Sequence, residues 1–297
     1  MRSMHNTQTL APKQHDLGGG FVVRRLLPSV QRQAVGPFVF FDHFGPVTSQ
    51  PGDNHDVRPH PHIGLATVTY LFEGVMEHRD STGAVQRIEP GSLNWMTAGR
   101  GIVHSERAPA DVRQVARTSH GLQLWMALPA EEEECAPAFA HFSAAQIPQC
   151  VQHGAHITVL AGKAFGMTSP APAKSPTVYL DLQLSPGANV PLAVDYAERA
   201  VYALDAGCTL DGAALPQHHM VVLAPGSTPR LAAATAARVV LVGGAPLGHR
   251  FIAWNFVSSR KERIVQARED WIAQRFDAVP GETEFIPYPA PNPASKP

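Results

Sequence analysis

The chain has 297 residues, 44% of them hydrophobic and 16% charged, enough apolar material for two packed domains and too much for a chain disordered throughout. Lys and Arg number 24 against 25 Asp and Glu, so no positive surplus is available to neutralise phosphates, and direct nucleic-acid binding is not expected. No apolar run reaches the roughly 18–20 residues that cross a bilayer, and Met1 to Gly20 lacks the apolar core of an export signal. The expectation is a soluble, cytoplasmic protein with no membrane partner. Cys135, Cys150 and Cys208 are odd in number and widely spaced, which suits a reducing compartment and argues against a disulfide framework or a thiolate metal site.

In chain order, Gly18-Gly19-Gly20 reads as a turn, and Asp42, in a Phe-rich stretch, reads as a turn-fixing residue. Ala66–Phe72 is β-branched and aromatic and ends at Glu73-Gly74, so it predicts a strand. The acidic run Glu131–Glu134 predicts a solvated loop, and a domain boundary is expected between Pro129 and Pro148. Further strands are expected at 157–160, 177–184, 220–223 and 238–242. Ser259 and Glu262 have capping-box spacing. Ile264, Val265, Trp271, Ile272 and Phe276 then predict an amphipathic helix stopped by Pro280-Gly281, with an extended, loosely held tail from Pro287. Tyr70–Gly74 with Pro90-Gly91-Ser92 is echoed by Tyr202–Gly207 with Pro225-Gly226-Ser227, at offsets of 133 and 135 residues, which favours two related β units. The expected division is 1–130 and 150–257 for the two units, 131–149 for a linker, 258–278 for the helix and 279–297 for the tail.

Fifteen histidines are present, and two pairings carry chemistry. In His60-Pro61-His62 the two imidazoles sit at i and i+2, so an extended strand turns them to one face, and the proline holds that geometry. His104-Ser105-Glu106 repeats the spacing after the turn Gly99-Arg100-Gly101. If the two strands lie across from each other, three neutral nitrogens and one carboxylate converge, a donor set for one divalent first-row metal. His78-Arg79-Asp80 resembles a kinase fragment without the accompanying nucleotide loop and reads as structural. His43, His78 and His120 are read first as hydrogen-bonded structural histidines, with ligand orientation as the lesser alternative. Trp95, Met96 and Trp125 are read as core, and the adjacent His218-His219 cannot share one metal from a strand.

The stretch His60–Gly74 and the stretch Asn94–Glu106 resemble the two metal motifs of the pirin family, a branch of the cupins. Gly36–Pro46, His78–Ser81, His120–Trp125 and Trp254–Ser259 match it as well. The resemblance implies a mainly β fold of two stacked cupin barrels (double-stranded β-helix, or jelly-roll) with a C-terminal amphipathic helix. It implies one divalent metal in the first barrel, held by His60, His62, His104 and Glu106, with Fe(II) expected and Mn, Ni, Cu or Zn as alternatives. Ala66 and Thr67 stand where most cupins carry a glutamate, and the pirin pattern moves that carboxylate to Glu106. Val190–Val194 carries no His-x-His, so the second barrel is expected to be metal-free. Several pirins degrade the flavonol quercetin with O2, which implies a dioxygenase with Glu106 as general base, a flavonol or other enolisable substrate, and release of carbon monoxide. The alternative is an iron-containing, redox-sensitive regulator acting through a protein partner, and a third option is a metal cupin working without O2.

Overall fold

In the computed structural model of the protein, residues 7–17 and 21–290 are described, so the turn read at Gly18–Gly20 lies outside them. Two antiparallel barrels account for most of the chain, as the resemblance implied. In the first, a seven-stranded sheet runs in the order Ala138–Phe142, Leu93–Thr97, Leu65–Glu73, Arg117–Ala127, Phe38–Ser49, Val22–Leu27, Lys13–Asp16. A four-stranded sheet, Val57–His62, Ile102–Arg107, Met76–Asp80, Val85–Ile88, completes it. The second barrel repeats this plan. Its long sheet runs Gln8–Leu10, Met220–Val222, Glu198–Ala203, Ala237–Gly244, Thr177–Leu184, Ala155–Ala161, Gln149–Gln152. Its short sheet runs Asn189–Pro191, Arg230–Ala233, Cys208–Leu210, Ala213–Leu215. The sequence echo is thus structural: Tyr70 and Tyr202 occupy the same strand of their respective barrels.

The two long sheets pack against each other through one continuous apolar cluster that includes Phe38, Phe41, Tyr70, Leu124, Tyr179 and Tyr202. A sheet covered on both faces needs apolar residues at successive positions, which is why the 38–49 strand is buried without a break from Phe38 to Gly45. Alternation still sorts its side chains: Phe40, Asp42 and Phe44 line a cavity in the first barrel, while Phe41 lies against Tyr202 across the seam, with ring centroids 4.9 Å apart. Tyr70 donates to Asp181 Oδ2 at 3.1 Å, and the Tyr202 hydroxyl lies 2.7 Å from His43 Nδ1, so the equivalent tyrosines each bond to the opposite barrel. Asp42 lies mid-strand rather than at a turn, where Arg25 clamps both carboxylate oxygens at 2.8 and 2.7 Å.

Pairing across the chain redistributes the expected units. Ala138–Phe142, inside the stretch read as linker, pairs with Leu93–Thr97 and edges the first barrel, while Gln8–Leu10 pairs with Met220–Val222 and edges the second. The hairpin Phe251–Ala253 and Phe256–Ser258, read as part of the second unit, packs on the first, where Phe256 bridges to Ile63. The helix covers Lys261–Ile272, shorter than the expected 258–278. Its buried stripe is Ile264, Ala267 and Trp271; Val265 and Ile272 point to solvent, and Phe276 packs from beyond its end. The expected capping box does not form, because Ser258 and Ser259 donate their hydroxyls, and Ser259 its amide, to Glu133. Glu133 is therefore no solvated charge. It is 2% exposed and faces Arg250 Nε at 2.9 Å, since a buried carboxylate needs its lone pairs answered.

The tail is held where it crosses the first barrel. Glu282 pairs with Arg107 and accepts from Ser105, Ile286 donates its amide to Pro59 O at 2.8 Å, and Tyr288 packs against Trp254 and Phe256. Among the described residues no helix is long and apolar enough to cross a membrane.

Candidate metal centre

The site grows out of one strand pair. Val57–His62 and Ile102–Arg107 run antiparallel with His104 directly opposite His60, so His60, His62 and His104 meet on one face. Their ligand atoms lie within 4.8 Å of one another, and His62 Nε2 and His104 Nε2 are 3.1 Å apart. Just after this strand the chain turns at Gly64 with φ +67°, in contact with the Val257 carbonyl, a place where a Cβ has no room. Among the described residues this is the one cluster of three or more His, Cys, Asp or Glu side chains suited to a metal ion.

Each imidazole has its outward nitrogen engaged. His60 Nδ1 donates to Arg58 O at 2.9 Å and His62 Nδ1 to Asn255 O at 3.1 Å. A carbonyl only accepts, so these protons sit on Nδ1 and both Nε2 lone pairs face inward. Burial keeps the rings neutral. It lowers His60 to about 4, and it holds His62 and His104 well below the usual histidine value, with the neighbouring imidazoles pushing the same way. Neutral, oriented and convergent nitrogens are what a transition ion requires, so the residues present fit the metal implied by the resemblance.

Glu106 is placed differently. A bulge separates it from His104 in the pairing with the 57–62 strand, putting Glu106 opposite Val57, and its carboxylate is not part of the three-histidine cluster. It lines the same cavity as His60 and His62. Burial pushes its carboxyl up to about 7, with Thr69 pulling the other way. The cavity measures about 660 Å3, within the usual range for a small-molecule site. Trp125, read as core from sequence, forms a wall of it, stacked on Phe40 at 3.9 Å between ring centroids and set edge-on to His62 at 5.1 Å. Gln123 also lines it, as does Ile286 from the tail.

The other histidines fall into two places. His78 lies behind His104, its Nδ1 3.4 Å from His104 Nδ1 and its Nε2 2.9 Å from Asp80 Oδ2. His43 and His120 sit at the seam between barrels, their Nε2 atoms 2.8 Å apart, with His218 beside His43 at 5.5 Å between rings. Asn255, Ile286 and Phe40 were missed in the sequence, because they join the site only through tertiary pairing. The role of His78 had a signal, since His78-Arg79-Asp80 repeats the i, i+2 spacing of the metal motifs.

Sequence comparison agrees with this architecture. The family model described as Pirin matches residues 20–126, and that described as Pirin C-terminal cupin domain matches residues 179–277. A pirin-like protein of Caulobacter vibrioides is 46% identical over 281 residues, covering 93% of this chain and 97% of the relative. The crystal structure of a quercetin 2,3-dioxygenase from Acinetobacter baumannii superposes with a TM-score of 0.89 at 34% identity, covering 98% of this chain and 97% of that one. A bacterial pirin of Escherichia coli, solved in complex with nickel(II), shares the fold at 16% identity with a TM-score of 0.64, covering 81% of this chain and 100% of that one.

Proposed function

The chain belongs to the pirin family, and from that premise we propose that it is a metal-dependent oxidoreductase, a dioxygenase that opens the heterocycle of a flavonol such as quercetin with O2 and releases carbon monoxide. The observation that carries this reading is a buried three-histidine cluster bordering a cavity of about 660 Å3 walled by Trp125 and Phe40. The likeness over nearly the whole chain to a quercetin 2,3-dioxygenase supports the substrate class.

His60, His62 and His104 would hold one divalent ion, with Fe(II) as the expected ion and Glu106 as the fourth ligand. When bound, such an ion supplies Lewis acidity toward a substrate hydroxyl and a route for electrons to O2. The aromatic wall of Phe40 and Trp125 orients the planar flavonol, since offset or edge-on ring contacts fix the tilt of a flat ligand. Glu106, which lines the cavity beside His60 and His62, takes the proton of the flavonol 3-hydroxyl as general base. The resulting enolate is electron-rich at the carbon that O2 attacks. Ring opening then gives the ester and carbon monoxide.

The test is aerobic quercetin consumption with carbon monoxide detection by Fe(II)-reconstituted protein, beside a His62→Ala control. Metal-dependent turnover with carbon monoxide, lost in the control, is the expected result. A protein that holds one ion and leaves quercetin intact overturns the quercetinase reading and puts the redox regulator first.

A further inference from the structure

The three imidazoles are not supported alike. His60 and His62 each lean on a neutral backbone carbonyl, at 2.9 and 3.1 Å. Among the described residues His104 has no carbonyl partner. Its Nδ1 faces the Nδ1 of His78, and His78 Nε2 faces a carboxylate oxygen of Asp80. Asp80 is fully buried and acts only as an acceptor: its other oxygen takes the Thr82 amide at 2.8 Å and the Thr82 hydroxyl at 2.6 Å. Phe139 stacks on the His78 ring with centroids 4.3 Å apart and fixes its plane. The line Asp80–His78–His104 is built in one sheet, where His104 pairs with Asp80 in register and Glu106 with His78.

Proton placement along this line follows from counting donors. Two facing ring nitrogens form a hydrogen bond only if one carries the proton and the other does not. Asp80 can only accept, so His78 carries its proton on Nε2 and presents a lone pair at Nδ1. That lone pair is satisfied only by a proton on His104 Nδ1, which leaves His104 Nε2 free to bind a metal beside His60 and His62. Reversing any member reverses the next.

We infer that Asp80 and His78 are positioning residues that set the tautomer of His104 and make it the most strongly donating of the three metal-facing imidazoles. This rests on the metal-centre reading above and adds to it a built-in asymmetry. Two ligands are backed by carbonyl dipoles and the third by a full negative charge relayed through a second ring. Such outer partners govern affinity and ligand basicity together.

The experiment is a cobalt(II) titration against a chromophoric chelator for the wild type, His78→Asn, His78→Phe and Asp80→Asn, with histidine ring 15N shifts read on the zinc-loaded proteins. His78→Phe keeps a ring against Phe139 and removes the acceptor, so cobalt affinity should fall about 10–100-fold. His78→Asn places an amide oxygen where Nδ1 stood, facing His104 Nδ1, and should recover most of the affinity lost in His78→Phe. In Asp80→Asn the amide nitrogen faces His78 and turns its tautomer around, so affinity should fall as in His78→Phe, with the His78 ring signals exchanged. Equal loss in His78→Asn and His78→Phe, or wild-type affinity in His78→Phe and Asp80→Asn, overturns the relay while leaving the metal centre standing. Failure of the wild type to bind cobalt overturns the metal centre itself, and the relay with it.

Discussion

His43 gives the sharpest quantitative expectation, because its environment fixes the sign of its pH dependence. It is 1% exposed at the seam between the barrels, sharing hydrogen bonds with the Tyr202 hydroxyl and His120 Nε2. Burial first, then the charges of His120, Arg24 and His218, lower it from 6.5 to about 2. Around its partners, Glu73 and Asp205 push His120 up against burial, Arg238 and Arg24, and Asp205 opposes Arg24 and His219 at His218. The folded protein thus holds His43 neutral where an unfolded chain would protonate it. The stability contributed by the neutral ring is complete above pH 6.5 and is lost as the pH falls from 6.5 toward 2. At pH 4.5 the loss amounts to about 3 kcal/mol, two pH units below the unfolded value at 1.36 kcal/mol each. His43→Gln removes the titration while leaving hydrogen-bonding atoms at the seam. Urea unfolding of both proteins at pH 8 and pH 4.5 reads it directly. Groups away from the seam cancel, so the wild type should lose about 3 kcal/mol more than the variant between the two pH values. A difference below about 1 kcal/mol would refute a neutral His43 at the seam.

Two further changes separate packing from chemistry. Trp125→Ala removes the ring stacked on Phe40, worth about 0.5–1.5 kcal/mol in contact with a flat substrate, so KM for quercetin should rise about 2–10-fold while metal content by elemental analysis stays at the wild-type level. Glu133→Ala strands Arg250, which is 4% exposed, and frees the donors of Ser258 and Ser259; breaking one side of such a buried pair costs about 3–5 kcal/mol and should lower the urea midpoint, with the hairpin and helix loosening first in hydrogen exchange.

Where a feature depends on spacing within one strand, the sequence was enough to read it. The meeting of His60, His62 and His104 needed only the period of two, and the repeated Tyr and Pro-Gly-Ser segments needed only their offset. What failed depended on register and on who pairs with whom. Asp42 became a cavity residue because Arg25 on the neighbouring strand faces it, and Glu133 became buried because the chain returns at Ser258 more than a hundred residues later. Glu106 shows the limit within the motif itself. Its spacing from His104 is that of the other pair, yet the bulge opposite it separates its carboxylate from the imidazoles in a way no periodicity reports.

The second barrel shows what the same plan looks like without histidines. Its short sheet has the same strand order, and Val190 pairs with Leu231 at the place in that order where His60 pairs with His104. Val190, Leu192 and Leu231 are all fully buried and belong to one apolar cluster, so that interior is satisfied by packing alone. Three imidazoles in the same position carry donors and acceptors that burial would leave unanswered at a cost of about 1–3 kcal/mol each. The first barrel answers each of them: Arg58 on the same strand takes the His60 proton, His78 in the same sheet faces His104 Nδ1, and Asn255 from the returning hairpin takes the His62 proton. The hairpin, helix and tail pack on the first barrel through an apolar cluster of Ile63, Val103, Phe256, Ile264 and Trp271, which fixes the hairpin that carries Asn255. Inside, three lone pairs directed at one point are the condition for holding a metal.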